Sequence, residues 1–182
     1  MLDPRDHYGD PDFVLGGLSI WALSRQFPDS EDFDDGNWLY SYARAEAPGA
    51  RIDISGPWLR ADEIESFLDE LRPLNADLKG AAALDCMECA LKVEVRCGSL
   101  GALEVTVNIT PDLATQSHRM VYSLDQTYLS AAIDGCAAIL ANYPVRRDRS
   151  APLVGKRAAA PEKFYLRLWR MCSKLVKNAR FP

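Results

Sequence analysis

The chain has 182 residues, 48% of them hydrophobic and 26% charged, enough to bury a sizeable core and ordinary for a water-soluble domain. Its charge is unevenly placed: up to Pro144 there are 10 Lys+Arg against 24 Asp+Glu, a net of −14, and from Val145 to Pro182 there are 11 against 2, a net of +9. A strongly acidic body repels nucleic acid and attracts basic proteins over distances near the Debye length, which argues against the body as a nucleic-acid binder. No run approaches the roughly 18 apolar residues of a membrane span, and Met1 to Asp12 is polar, without the pattern of a signal peptide, so a cytoplasmic location is expected.

Phe13 to Trp21 reads as a strand, Trp38 to Ala45 as a half-buried strand, and Arg51 to Ser55 as a third after the Pro48-Gly49 turn, with Gly56-Pro57 breaking it. In Ala61 to Leu74 the residues Ile64, Phe67, Leu68 and Leu71 recur at helical spacing; Asp62, Glu63 and Glu65 favour the positive end of the helix dipole, and Pro73 is expected to end or kink the helix. Four strands follow in quick succession: Ala81–Cys86, Leu91–Cys97, Leu103–Ile109 and Arg119–Leu124, the second and third joined by Gly98 to Gly101. Such short links demand an antiparallel meander, because parallel pairs need long crossovers. A second helix, Asp125 to Asn142, carries Tyr128, Leu129, Ala132, Ile133, Cys136, Ile139 and Leu140 on one face, with Asp125 as its cap.

The expected fold is therefore α+β: a mostly antiparallel sheet of about seven strands with two packed helices, plus a basic C-terminal helix. The domain spans 1–144, a linker rich in Arg, Pro, Gly and Ala spans 145–160, and a basic amphipathic helix spans 161–182. In that helix Phe164, Leu168, Trp169, Cys172, Leu175 and Val176 form a stripe beside Lys163, Arg167, Arg170, Lys174 and Lys177. It can dock on its own acidic body, bind a partner or, as a weaker alternative, touch a membrane.

Chemistry-bearing patterns are sparse. The five cysteines, an odd number, read as free thiols; Cys86-Met87-Glu88-Cys89 lacks the second pair of a zinc site, and His7 and His118 stand apart. There is no G-x-S-x-G, and Gly16-Gly17 is too short to cradle phosphate. Asp125-Gln126-Thr127 is better explained by helix capping than by catalysis. The densest feature is acidic: Asp29, Glu31, Asp32, Asp34 and Asp35 fall within seven residues. They miss the calcium-loop pattern, since Gly36 stands at the wrong offset from Asp32 and no Glu follows in place. They remain open as a solvated loop, a protein-binding surface or a metal site of a small enzyme. No cofactor is expected.

Several short segments together resemble the WapI-type immunity proteins. They are Phe13 to Ile20, Phe27-Pro28-Asp29, Asp34-Asp35-Gly36-Asn37-Trp38-Leu39, Pro48-Gly49-Ala50-Arg51, Gly80 to Leu84, Glu88 in its turn, and Asp125-Gln126-Thr127-Tyr128-Leu129. The resemblance covers about Phe13 to Pro144. It implies a non-enzymatic cytoplasmic antidote to a WapA-type polymorphic toxin, whose C-terminal domain, commonly a nuclease, would be the protein partner. Beside that resemblance, the acidic run Asp29, Glu31, Asp32, Asp34 and Asp35 becomes the candidate electrostatic contact, Trp58 a candidate anchor, and Trp38 a core residue.

Overall fold

The structure is a computed structural model and describes residues 3–148, so the expected linker beyond Asp148 and the basic helix 161–182 lie outside the described residues. A five-residue helix, α1 (Pro4–Tyr8), opens the chain; Asp3 caps it by accepting the Arg5 N–H, and Pro4 sits in its first turn. Among the described residues, eight strands then form two four-stranded antiparallel sheets, each a simple meander. The first holds β1 (Phe13–Leu15), β2 (Leu18–Arg25), β3 (Trp38–Ala47) and β4 (Ala50–Arg60); helix α2 (Ala61–Asp77) follows. The second holds β5 (Gly80–Asp85), β6 (Leu91–Cys97), β7 (Ala102–Ile109) and β8 (His118–Asp125), and helix α3 (Thr127–Asn142) follows it.

The α+β class and the antiparallel meander are as the sequence implies, with eight strands rather than seven, divided between two sheets. The extra strand comes from Gly16-Gly17. Gly16 has φ +60°, which turns the chain back on itself, and a Cβ on Gly17 would stand 2.1 Å from the Glu46 carbonyl oxygen. The run Phe13 to Trp21 is therefore a hairpin. Strand β4 also runs through Gly56-Pro57 to Arg60, because its register against β3 shifts between Leu39 and Ser41, and a bulge absorbs a proline that a regular ladder would not. Pro73 does not stop α2 either. It is exposed in the last turns, and the helix ends at Leu78, in the left-handed region with its N–H on the Leu74 carbonyl.

Alternation along the strands sends Leu18, Ile20 and Leu39 of the first sheet, and Leu84, Leu91, Val93, Val95, Val105 and Val107 of the second, into one continuous core. Helix α2 contributes Ile64, Phe67, Leu68, Leu71 and Leu74, and α3 contributes Leu129, Ala132, Cys136 and Ile139. The two helices pack on each other, α2 also against β5 and α3 also against β1, which ties the sheets into one body. Cys86, Cys97 and Cys136 are free thiols, whereas Cys89 is disulfide-bonded, against the expectation for that residue. Helix α3 starts at Thr127, with Gln126 and not Asp125 at the N-cap position; Asp125 stands one residue earlier and accepts the Thr127 N–H at 2.8 Å, and Tyr128, expected on the buried face, is exposed.

One acidic side chain joins the halves. Glu63, in the first turn of α2, accepts the Arg60 N–H at 3.0 Å and the Met87 N–H at 2.8 Å, pinning the Cys86–Cys89 turn of the second sheet to the end of β4. Burial pushes its pKa up to about 7, against the backbone hydrogen bonds from Met87 and Arg60 that favour the charged form. Because the folded pKa lies above the unfolded one, the stabilising contribution is complete below the ordinary carboxyl pKa and is lost as pH rises through about 7. The expected loss approaches about 3 kcal/mol. Urea unfolding between about pH 5 and 8 will show this decline in the natural chain and a flatter profile in Glu63→Gln, which has no charge to bury; parallel profiles would remove Glu63 as the cause.

Candidate partner-binding site

The acidic run lies in the loop between β2 and β3, and its five carboxylates do two different things. Asp32 is 3% exposed. Its Oδ1 accepts the Asp34 and Asp35 N–H groups at 2.8 Å each, and its other oxygen accepts the Ser30 hydroxyl. Burial alone would raise its pKa, but these hydrogen bonds outweigh burial and hold it below the usual carboxylate range. Asp32 is thus the internal brace of the loop and not a surface contact. Asp29, Glu31 and Asp34 face solvent. Asp35 is half-buried, and burial together with the neighbouring charges of Asp32 and Asp34 raises its pKa against the pull of Arg60.

Three arginines hold the loop from within, chiefly by its carbonyls, which leaves most of its outer carboxylates available. Arg25 donates to the carbonyls of Gly36 and Pro144. Arg60, 3% exposed, donates to the Asp34 carbonyl at 2.7 Å and the Phe33 carbonyl at 3.1 Å, pairs with Asp62 at 2.9 Å, and stacks near the rings of Phe33 and Trp38. Arg146 donates to the carbonyls of Phe27, Pro28 and Ser30 and reaches Glu31 at 3.5 Å. Buried Asn37 completes the closure, its side-chain amide donating to the Arg146 carbonyl at 2.8 Å and accepting the Arg146 N–H at 2.9 Å. The Phe33 N–H donates to the Asp148 carbonyl at 2.8 Å, and Asp32 and Asp148 form a parallel bridge. Gly36 is required here: a Cβ would lie 2.5 Å from the Asp32 carbonyl and 2.6 Å from that of Ser30.

Sequence reading missed Arg146. It placed 145–160 in a linker, yet residues 145–148 are built onto the loop, and Val145 packs against the core. Its only cue was the Tyr143-Pro144 helix stop, which looks like the end of the domain. Trp58 also sits elsewhere than a protruding anchor would. It is 4% exposed with its indole N–H on the Ser41 carbonyl at 3.2 Å, and what it offers is a wall of a cleft. That cleft, of about 770 Å³, lies between the β3–β4 face and two connections of the second sheet, the Cys86–Ala90 turn and the Thr110–Ala114 loop. Trp38 is in the core side of the same region, 8% exposed.

Among the described residues no three His, Cys, Asp or Glu side chains are grouped as metal ligands, and no helix is long and apolar enough to cross a membrane. His118 reaches Gln116 at 3.3 Å at the start of β8, and His7 is exposed on α1. What the fold and loop define is a two-sheet α+β domain that presents an outward ridge of carboxylates on an arginine-braced loop. The family model described as the immunity protein WapI-like family matches residues 14–144, well over half of the chain. The chain belongs to that family. No curated protein and no solved structure matches it.

The inner and outer carboxylates separate by mutation. Asp32→Ala leaves two backbone N–H groups and the Ser30 hydroxyl without their charged acceptor, an expected cost of about 2–3 kcal/mol. Asp34→Ala removes an exposed side chain and is expected to stay within about 0.5 kcal/mol. Urea unfolding of both variants measures the contrast; equal stabilities would mean that Asp32 does not brace the loop.

Proposed function

We propose that this chain neutralises a cognate polymorphic toxin by binding its C-terminal domain and covering a basic active cleft, as expected of a nuclease, with the carboxylate ridge of the β2–β3 loop. Membership of the WapI-like immunity family supports an antidote role without catalysis of its own. The observation that carries the choice of surface is the division of labour in the loop. Asp32 and the arginines hold the backbone, while Asp29, Glu31 and Asp34 stay exposed in one short stretch, with Asp35 at its inner margin. A rigid, pre-arranged row of negative charge avoids the ordering cost of a mobile loop and speeds encounter with a cationic partner. A toxin that grips polyanionic nucleic acid has the complementary field.

The test uses candidate toxin C-terminal domains taken from reading frames that neighbour the gene for this chain. Stopped-flow association is measured for the natural chain and for Asp29→Lys/Glu31→Lys/Asp34→Lys. All three positions are solvent-facing and, among the described residues, the set loses just the exposed Glu31–Arg146 pair, so a small drop in melting temperature is expected. The association rate at low salt is expected to fall by at least about tenfold, with the salt dependence flattened. Tight binding with an unchanged rate in the variant would move the contact away from this loop; no binding by either protein would remove this toxin as the partner.

A further inference from the structure

The cleft between the sheets has an occupant of its own to account for. Its walls are apolar where Ile54, Pro57 and Trp58 of β4 meet Leu113 beyond β7, and two carboxylates enter it, Asp35 from the β2–β3 loop and Glu88 from the Cys86–Cys89 turn. Neither carboxylate forms an ion pair among the described residues. Both are partly withdrawn from water, which raises the pKa of each, so a cation seated there would relieve a standing cost. The surface asks for a segment that is apolar on one side and positive on the other.

The chain carries such a segment, and the last described residue before it lies against the β2–β3 loop that supplies Asp35 to the cleft. The described backbone ends at Asp148, whose carbonyl is bonded to the Phe33 N–H, two residues from Asp35. Beyond it, residues 149–182 hold nine Lys+Arg against one acidic residue, Glu162, and repeat Phe164, Leu168, Trp169, Cys172, Leu175 and Val176 at helical spacing. The 12 residues from Arg149 to Ala160 can span up to about 40 Å when extended, so length does not forbid the visit. We infer that the basic segment 161–182 docks in the cleft of its own domain, laying its apolar stripe on Trp58 and Leu113 and its cations against Asp35 and Glu88. Tethering supplies a local concentration on the order of 1 mM, so an intrinsic affinity of only about 0.1 mM gives roughly ten docked chains for each free one. This inference stands apart from the toxin reading, since it needs no toxin.

Limited trypsin digestion of the full chain under a thiol reductant, which opens the Cys89 disulfide, tests it, with a synthetic 149–182 peptide digested in parallel under the same conditions. At about 0.05 M salt, cleavage within 161–182 is expected to be about tenfold slower in the chain than in the peptide. The protection is expected to fall severalfold in Asp35→Asn/Glu88→Gln, and at about 0.5 M salt in the natural chain. The salt arm keeps the test decisive should the double variant fold poorly. Equal cleavage of chain and peptide overturns the inference. So does protection that grows with protein concentration, which gives the cleft to a second copy. Protection unchanged by both salt and the double variant overturns it as well.

Discussion

A guanidinium withdrawn from water must be met on every side, and at Arg60 that requirement organises the surrounding chain. The group is 3% exposed, and it takes the carbonyls of Phe33 and Asp34, the carboxylate of Asp62, and the faces of Phe33 and Trp38. A buried charge left unpaired costs several kcal/mol, so these contacts are obligations and not ornaments. Arg60 is also the last residue of β4, and its backbone N–H is held by Glu63 in the first turn of α2. The strand end, the helix start and the loop conformation are therefore fixed by one residue. Displacing the loop would strand a cation, and displacing the cation would free the loop.

The carboxylates sort by the same rule. Asp53 pairs with Arg44 at 2.8 Å and Arg51 at 3.3 Å, Asp62 with Arg60, and Asp32 with backbone N–H groups, so these three inward carboxylates are met by donors. Of the loop's outer carboxylates, Glu31 has Arg146 at 3.5 Å, and Asp29 and Asp34 sit in no ion pair among the described residues. Where arginines brace the loop through carbonyls they fix its shape without occupying its carboxylates. A surface built this way keeps its field while losing its flexibility.

Much of the fold was legible because alternation is a strong signal. Leu91, Val93 and Val95 against Lys92, Glu94 and Arg96 could only be a strand with one buried face. Glycine and proline were less readable, since their effect depends on partners. Gly16-Gly17 makes a hairpin because Glu46 and Tyr122 pass so close, and Pro57 is carried by a bulge that only the pairing with β3 creates. Within the acidic run, Asp32 looked no different from its four neighbours. What distinguishes it is that Asp34 and Asp35 turn their N–H groups back toward it, a property of the loop's shape and not of its composition. Trp58 was ambiguous for a related reason: an indole beside a Gly-Pro break can project or fold inward, and the bulge turns it inward onto Ser41.

The family match stops at residue 144, two residues before Arg146. Yet it is Arg146 that gathers the carbonyls of Phe27, Pro28 and Ser30, and its backbone that satisfies buried Asn37. The folded domain therefore extends past the matched region by a few residues that close the acidic loop from outside it. The segment beyond Asp148 leaves from that closure, with the Phe33 amide as its last described attachment. Among the described residues the acidic body and the start of the basic tail, which looked like two separate electrostatic statements, are joined through Arg146, the Arg147–Glu65 ion pair and the strand-like contact between Asp32 and Asp148.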